Sequence, residues 1–176
     1  MIGCGAVCEV KSGPGFYKAD HSTLLAVASA DPALTRSYAS RHDVPRVYDS
    51  AEALVQDPDL DAVYVATPPS SHKALSLLAA RAGKHVYVEK PMALRFDECE
   101  AIIAECRRLE RRLFVAFYRR AMPRFLQVKA WIDAGLPWEA GLTLSKSTYE
   151  PPLKPRRPPL PAGEGHPLDR FVDAYL

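Results

Sequence analysis

Four short stretches of the chain are almost continuously apolar: Leu24–Ala28 (LLAVA), Ala62–Ala66 (AVYVA), His85–Val88 (HVYV) and Leu113–Phe117 (LFVAF). They do not alternate between apolar and polar positions, so neither face of such a strand expects water. That is the pattern of a parallel sheet covered on both sides. Between them, apolar residues recur at helical spacing. Asp31-Pro32 reads as an N-cap followed by proline at the first helical position, with Leu34, Tyr38 and Ala39 on one face. Asp49 or Ser50 is placed to cap a short helix through Leu54 and Val55. Ser70 or Ser71 is placed to cap another carrying Ala74, Leu75, Leu78 and Ala82, which Gly83 closes. Phe96, Cys99, Ile102, Ile103, Cys106 and Leu109 form a long amphipathic stripe. Strand and helix alternate as far as Phe117. The expected fold class is therefore α/β, a doubly wound parallel (Rossmann-type) sheet with helices on both faces.

After Phe117 the pattern changes. Met122–Ala134 reads as one more helix, ended by Gly135, and Leu142–Ser147 as a strand. Pro151–Pro161 (PPLKPRRPPLP) holds six prolines and three basic residues in eleven positions. Such a stretch supports neither helix nor central strand and favours extended polyproline II.

The 176 residues suit one α/β domain with an appendage rather than two full domains. A formal net charge of +2 gives no electrostatic case for nucleic acid. The longest apolar runs fall well short of a membrane span. Met1 runs straight into Ile2-Gly3-Cys4-Gly5 with no basic leader, so a cytoplasmic protein is expected. The four cysteines, Cys4, Cys8, Cys99 and Cys106, show no metal-ligand spacing; reduced thiols and no metal are expected.

Several motifs sit where chemistry is expected. Gly3 and Gly5 supply the first two glycines of a G-x-G-x-x-G turn, with Cys8 at the third position. The first glycine permits a tight turn after a strand; the second lets backbone approach a pyrophosphate at a helix N-terminus. Only Met1 and Ile2 remain of the strand that should precede them, so this leading strand is expected to be truncated and its sheet neighbours exposed. At the end of the second strand an acidic group would read a ribose. There Ala28-Ser29-Ala30-Asp31 offers Asp31, better suited to capping a helix, and leaves Ser29 nearest the ribose, with Arg36 one and a half turns on. A hydroxyl in place of a carboxylate removes repulsion against a 2′-phosphate, which leans toward NADP over NAD. Thr67-Pro68-Pro69-Ser70-Ser71-His72 and Glu89-Lys90-Pro91 follow two further strands. Ligands bind open α/β sheets at such strand ends, and a lysine there can donate a proton or polarise a carbonyl; a bland loop explains the same residues.

Together these pieces resemble the glucose–fructose oxidoreductase / inositol dehydrogenase (Gfo/Idh/MocA) family. The resemblance rests on the G-C-G-A turn, Val44–Tyr48 (VPRVY), Asp59–Pro68 (DLDAVYVATP), His72, Gly83–Met92 (GKHVYVEKPM) and Val115–Arg120 (VAFYRR). It implies an NAD(P)-binding Rossmann domain over 1–120, the start of a second α/β domain over 121–150, and a Pro-rich remnant of that domain over 151–176. It implies an NAD(P)-dependent dehydrogenase or reductase acting on a sugar- or polyol-like hydroxyl or carbonyl. Carried over, Gly3, Gly5, Ala6 and Val7 would hold the pyrophosphate and Ser29 would face the adenosine ribose. Thr67, Pro68, His72 and Glu89 would line the cofactor. Lys90 would sit between nicotinamide and substrate and assist proton transfer. Tyr118 and Arg119 would flank the substrate.

The chain also departs from the family. Members are usually much longer, and the second domain is represented only by Leu142–Tyr149 and the tail. The family expects Asp and then His four residues later; here His166 follows Ala162, so His166, with Asp169, is either a remnant acid–base residue or a solvated tail histidine. The alternative to an enzyme is a non-catalytic nucleotide-binding relic or regulatory subunit. The Pro-rich stretch reads as an interdomain connector or, less simply, a ligand for aromatic-grooved modules. Unpaired sheet edges predict a marginal monomer and a possible homo-oligomer.

Overall fold

The computed structural model describes residues 1–135. Within it Met1–Trp131 forms one compact unit; the other unit is Ile132–Leu176. The predicted strand Leu142–Ser147, the Pro151–Pro161 stretch and His166 with Asp169 lie outside the described residues.

Five parallel strands appear: β1 (Ala26–Ala28), β2 (Arg46–Tyr48), β3 (Ala62–Val65), β4 (His85–Val88) and β5 (Leu113–Val115). β1 pairs with β2, and β3–β4–β5 form a continuous ladder. The two groups are joined by Ile2, which bridges Ala28 on one side and Val65 on the other, both in parallel. Counting Met1–Gly3 as the leading strand, the spatial order is 3-2-1-4-5-6, the doubly wound order with its switch point beside Ile2.

The short leading segment therefore does not leave its neighbours unpaired. Gly3 N donates to Ala28 O at 2.8 Å and Ala28 N to Met1 O at 3.0 Å. On the other side Ile2 N donates to Tyr64 O and Ala66 N to Ile2 O, each at 2.8 Å. Three residues fill the slot because β1 and β3 are themselves only three and four residues long. Ile2 is 3% exposed and joins Val63, Val65, Val86, Val88 and Ile102 in the main core.

β2 carries no readable signal, because Val47 between Arg46 and Tyr48 faces outward at the sheet edge and the strand is three residues long. Its anchor is polar. Arg46 donates to both oxygens of the buried Asp57 carboxylate and to Asp59, and Tyr48 OH donates to Asp57 at 2.9 Å.

Helices fill both faces. A π-helical stretch, Cys8–Ser12, runs directly into α1 (Gly13–Lys18). Gly13, Pro14 and Gly15 read as helix breakers, which hides this element from sequence. The wider π turn makes room for Pro14, whose ring crowds the carbonyl four residues back. α2 (Pro32–Arg41) starts as expected: Asp31 Oδ1 accepts from Ala33 N and Leu34 N. Ser50 caps α3 (Ala51–Val55) by accepting from Ala53 N. α4 (Pro69–Arg81) has no side-chain cap; Pro68 holds the N-cap position and Ser71 is already inside the helix, within reach of Thr67 Oγ1 (2.7 Å) and Pro68 O (2.8 Å). Gly83 closes it at φ +81°. α5 (Phe96–Arg108) buries Ile102 and Cys106 as its stripe predicts, but Phe96 is 64% exposed. α6 (Pro123–Asp133) matches the expected helix and is followed by Gly135 at φ +72°.

Two ion-pair clusters tie helices together. Glu9 accepts from Arg41 (2.7 Å) and lies 2.8 Å from His42; Glu105 accepts from Arg81 and Arg108. The hydrogen bonds from Arg41 hold the Glu9 carboxyl down at about 2, and those from Arg108 do the same for Glu105. Both folded-state values lie below the ordinary carboxylate value of 4.5. Their stabilisation is thus complete above pH 4.5 and is lost as the pH falls toward 2. The expected result is a stability-against-pH curve that drops across this window and drops less in the double variant Glu9→Gln, Glu105→Gln. Urea midpoints between pH 2 and 6 check it, and parallel curves for parent and variant would contradict it.

Candidate cofactor and active site

All the described strands run parallel, so the loops that follow them emerge on one edge of the sheet. That edge gathers Gly3–Cys8 after the leading segment, Ser29–Asp31 after β1, Thr67–His72 after β3, Glu89–Pro91 after β4 and Tyr118–Arg119 after β5.

Gly3 and Gly5 look equivalent in sequence and differ in the fold. Gly3 sits at φ +99°, and a Cβ there would meet Ala66 O at 2.6 Å and Thr67 Cγ2 at 3.2 Å. It is glycine because the β3 loop packs against it. Gly5 has nothing within 4 Å of where its Cβ would lie, and with Ala6 and Val7 it is exposed. The first-turn N–H groups of the helix that begins there have no partners within the helix. Cys8, at the third glycine position, is buried, and its thiol donates to Gly3 O at 3.3 Å. Burial pushes that thiol up to about 12, so it stays protonated and packs as a small apolar group. Gly13 performs the close-packing task instead: a Cβ there would stand 2.1 Å from Tyr38 OH on α2. Sequence reading missed it because it lies five residues beyond the fingerprint's third position.

At the end of β1, Ser29 Oγ contacts Thr35 Oγ1 at 2.5 Å and donates to Asp31 O at 3.0 Å. The Asp31 carboxylate is engaged with the helix end, and Arg36 is exposed on the same helix. After β3, Thr67 is half-buried and Pro68 exposed. His72 is fully buried, with Nε2 2.7 Å from Thr67 O and Nδ1 2.8 Å from Pro91 O. Its ring clamps the β3 loop to the β4 loop, so it shapes the lining through those loops, its ring nitrogens being occupied. Pro91 follows Lys90 through a cis peptide bond.

Glu89 is half-buried at the end of β4 and Lys90 is exposed beside it. The Glu89 carboxylate accepts from Tyr64 OH at 2.7 Å and from Lys90 N at 3.0 Å. Tyr64 in turn lies 2.8 Å from Ser12 Oγ. Sequence reading missed Tyr64 and Ser12; the signal was a hydroxyl-bearing aromatic inside an otherwise aliphatic strand. Tyr118 is exposed and Lys11 stands 5.7 Å over its ring, which brings the β5 loop toward the glycine turn; Arg119 is exposed next to it. Among the described residues no group of three or more His, Cys, Asp or Glu could hold a metal ion.

The sequence profile described as "oxidoreductase family, NAD-binding Rossmann fold" (the Gfo/Idh/MocA family) matches residues 1–117. The chain belongs to this family. Among curated relatives, an oxidoreductase of Formosa agariphila is 44% identical over 136 residues, covering 77% of this chain and 42% of the relative. A trans-1,2-dihydrobenzene-1,2-diol dehydrogenase of Xenopus tropicalis is 32% identical over 65% of this chain and 34% of the relative. Among solved structures, a 3-ketoreductase from Actinomadura kijaniata in complex with NADP and TDP-benzene superposes with a TM-score of 0.71 at 28% identity. It covers 76% of this chain and 41% of its own. The apo scyllo-inositol dehydrogenase from Lactobacillus casei gives a TM-score of 0.70 at 27% identity, covering 76% and 40%. The chain thus spans about two fifths of the length of the family members it matches first. Family membership makes it an NAD-binding Rossmann chain of an oxidoreductase family. No helix among the described residues is long and apolar enough to cross a membrane.

Proposed function

We propose that the chain binds NAD(P) across the strand-end edge and serves hydride transfer to or from a sugar- or polyol-like hydroxyl or carbonyl carbon. The observation that carries this reading is the switch point itself. Gly5 leaves open space before an exposed helix start, with only β3 between its strand and the one whose loop presents Glu89 and Lys90. On this reading residues 1–120 act as the cofactor domain, 121–150 begin a second α/β domain and 151–176 are a Pro-rich remnant of it.

Gly3, Gly5, Ala6 and Val7 hold the pyrophosphate through backbone N–H groups. Ser29 borders the adenosine ribose. Thr67 and Pro68, fixed by His72, line the cofactor together with Glu89. The bound nicotinamide supplies the hydride chemistry; the protein supplies orientation and proton handling. Lys90 places its ammonium against the substrate oxygen and gives up or takes a proton there as that oxygen changes between carbonyl and hydroxyl. Tyr118 and Arg119 border the substrate, and His166 is a second candidate for acid–base work. Asp31, committed to capping α2, and Arg36 nearby favour NADP over NAD.

Titrating the full chain with NADPH and with NADH, followed by nicotinamide fluorescence, tests this. Binding in the micromolar range, tighter for NADPH, is expected. Tighter NADH binding would reverse the cofactor preference. Absence of binding by folded protein would overturn the function. A second reading is binding without turnover, as a non-catalytic relic or regulatory subunit. It predicts the same titration but no consumption of cofactor with keto-sugars or polyols.

A further inference from the structure

Tyr64 stands on β3, is 5% exposed, and packs in an aromatic cluster with Phe16 and Tyr87 at centroid distances of 5.1 and 5.0 Å. Packing alone would be served by phenylalanine. The hydroxyl instead joins three parts of the cofactor edge. Its single proton goes to Glu89 Oε1 at 2.7 Å; Ser12 Oγ lies 2.8 Å from the phenol oxygen and also donates to Val7 O at 3.3 Å. Glu89 Oε2 accepts from Lys90 N at 3.0 Å. Both oxygens of the Glu89 carboxylate are used. Burial pushes the Tyr64 phenol up, so it remains a donor at any ordinary pH.

Ser12 belongs to the helix that follows the glycine turn, and Glu89-Lys90 to the loop after β4. In the doubly wound order, β3 and β4 form the half opposite β1 and β2, so Glu89 lies on the nicotinamide side when Ser29 lies on the adenosine side. We propose that Tyr64 is a positioning residue for the nicotinamide end of the site: through its hydroxyl it locks the Glu89 carboxylate, and with it the backbone of Lys90, to the helix that follows the glycine turn. This rests on the reading of the strand-end edge as the NAD(P) site and assigns Tyr64 a task that its place in the core does not require.

The test compares the full-length parent chain with Tyr64→Phe, which keeps the ring and removes only the hydroxyl. Each is titrated calorimetrically with NADPH and with 2′-phospho-ADP-ribose, the same ligand without nicotinamide. The expected result for Tyr64→Phe is a loss of about fivefold to tenfold in NADPH affinity, the scale of one ordinary hydrogen bond. The nicotinamide-free ligand should stay within about twofold. Equal weakening of both ligands, or of neither, overturns the positioning role while leaving the cofactor site standing. If Tyr64→Phe does not fold, Ser12→Ala, which removes the outer hydroxyl together with its 3.3 Å hydrogen bond to Val7 O, must show the same nicotinamide-selective loss at smaller size; an unselective result overturns the proposal. A parent chain that is folded and binds neither ligand overturns the function reading and this proposal with it.

Discussion

Gly3→Ala is expected to lower the stability of the fold by about 3 kcal/mol or more and to abolish cofactor binding. The residue sits at φ +99°, where an L side chain is strained, and its Cβ would stand 2.6 Å from the carbonyl oxygen of Ala66 and 2.8 Å from its carbonyl carbon. Neither obstacle is a flexible side-chain tip that can swing aside. Both are backbone at the end of β3, and moving them breaks the Ala66 N to Ile2 O hydrogen bond that seats the leading segment in the sheet. The damage therefore spreads from the turn to the central slot of the sheet. Gly5→Ala is the control. With nothing within 4 Å of its Cβ position, it should leave unfolding within about 0.5 kcal/mol of the parent. On the proposed function it should still weaken NADPH binding, because the methyl would occupy the space assigned to the pyrophosphate. Urea unfolding of the two variants reads the difference. Equal stabilities would show that the Gly3 turn relaxes without cost.

Lys90→Met should reduce turnover by about 10²–10⁴-fold while NADPH affinity stays within about threefold. The substitution keeps the aliphatic stem and removes the ammonium of an exposed residue whose backbone N–H donates to the Glu89 carboxylate at the end of β4. On the proposed function the effect falls on turnover, because proton handling at the substrate oxygen matters as the bond to hydrogen forms or breaks, while the contacts assigned to pyrophosphate and adenosine lie on other loops. Steady-state absorbance of NADPH with keto-sugars, and of NADP with polyols, reads it. Full activity in the variant would remove Lys90 from the chemistry. A parallel loss of NADPH affinity would make it a binding residue.

Much of the fold was legible because it depends on local rules. The apolar runs at Ala62–Val65 and His85–Val88 name buried strands, and both pair as expected. Asp31-Pro32 and Ser50 name helix starts, and Gly83 names a helix end. These signals are written in one residue and its near neighbours. The missed elements depend on partners far along the chain. β2 exists because Arg46 and Tyr48 reach Asp57 and the strand pairs with β1. The helix through Gly13–Pro14–Gly15 exists because a small residue must pass under Tyr38 of α2. The fear of an unpaired sheet centre overlooked how short β1 and β3 are.

The site divides the same way. The sequence by itself determined the family and the order of the loops at the strand ends, because these turns carry fixed residue spacings. Only the tertiary structure decided what each residue can do there. It separated Gly3, which must yield to Ala66, from Gly5, which faces open space. It turned His72 into a buried clamp between the loops of Thr67 and Pro91. It drew Ser12, Tyr64 and Glu89, 52 and 25 positions apart in successive steps, into one line of hydrogen bonds. The physical reason is range. Backbone conformation and capping act over a few residues, whereas close approach, burial and hydrogen-bond partnership arise only when parallel strands bring distant segments side by side.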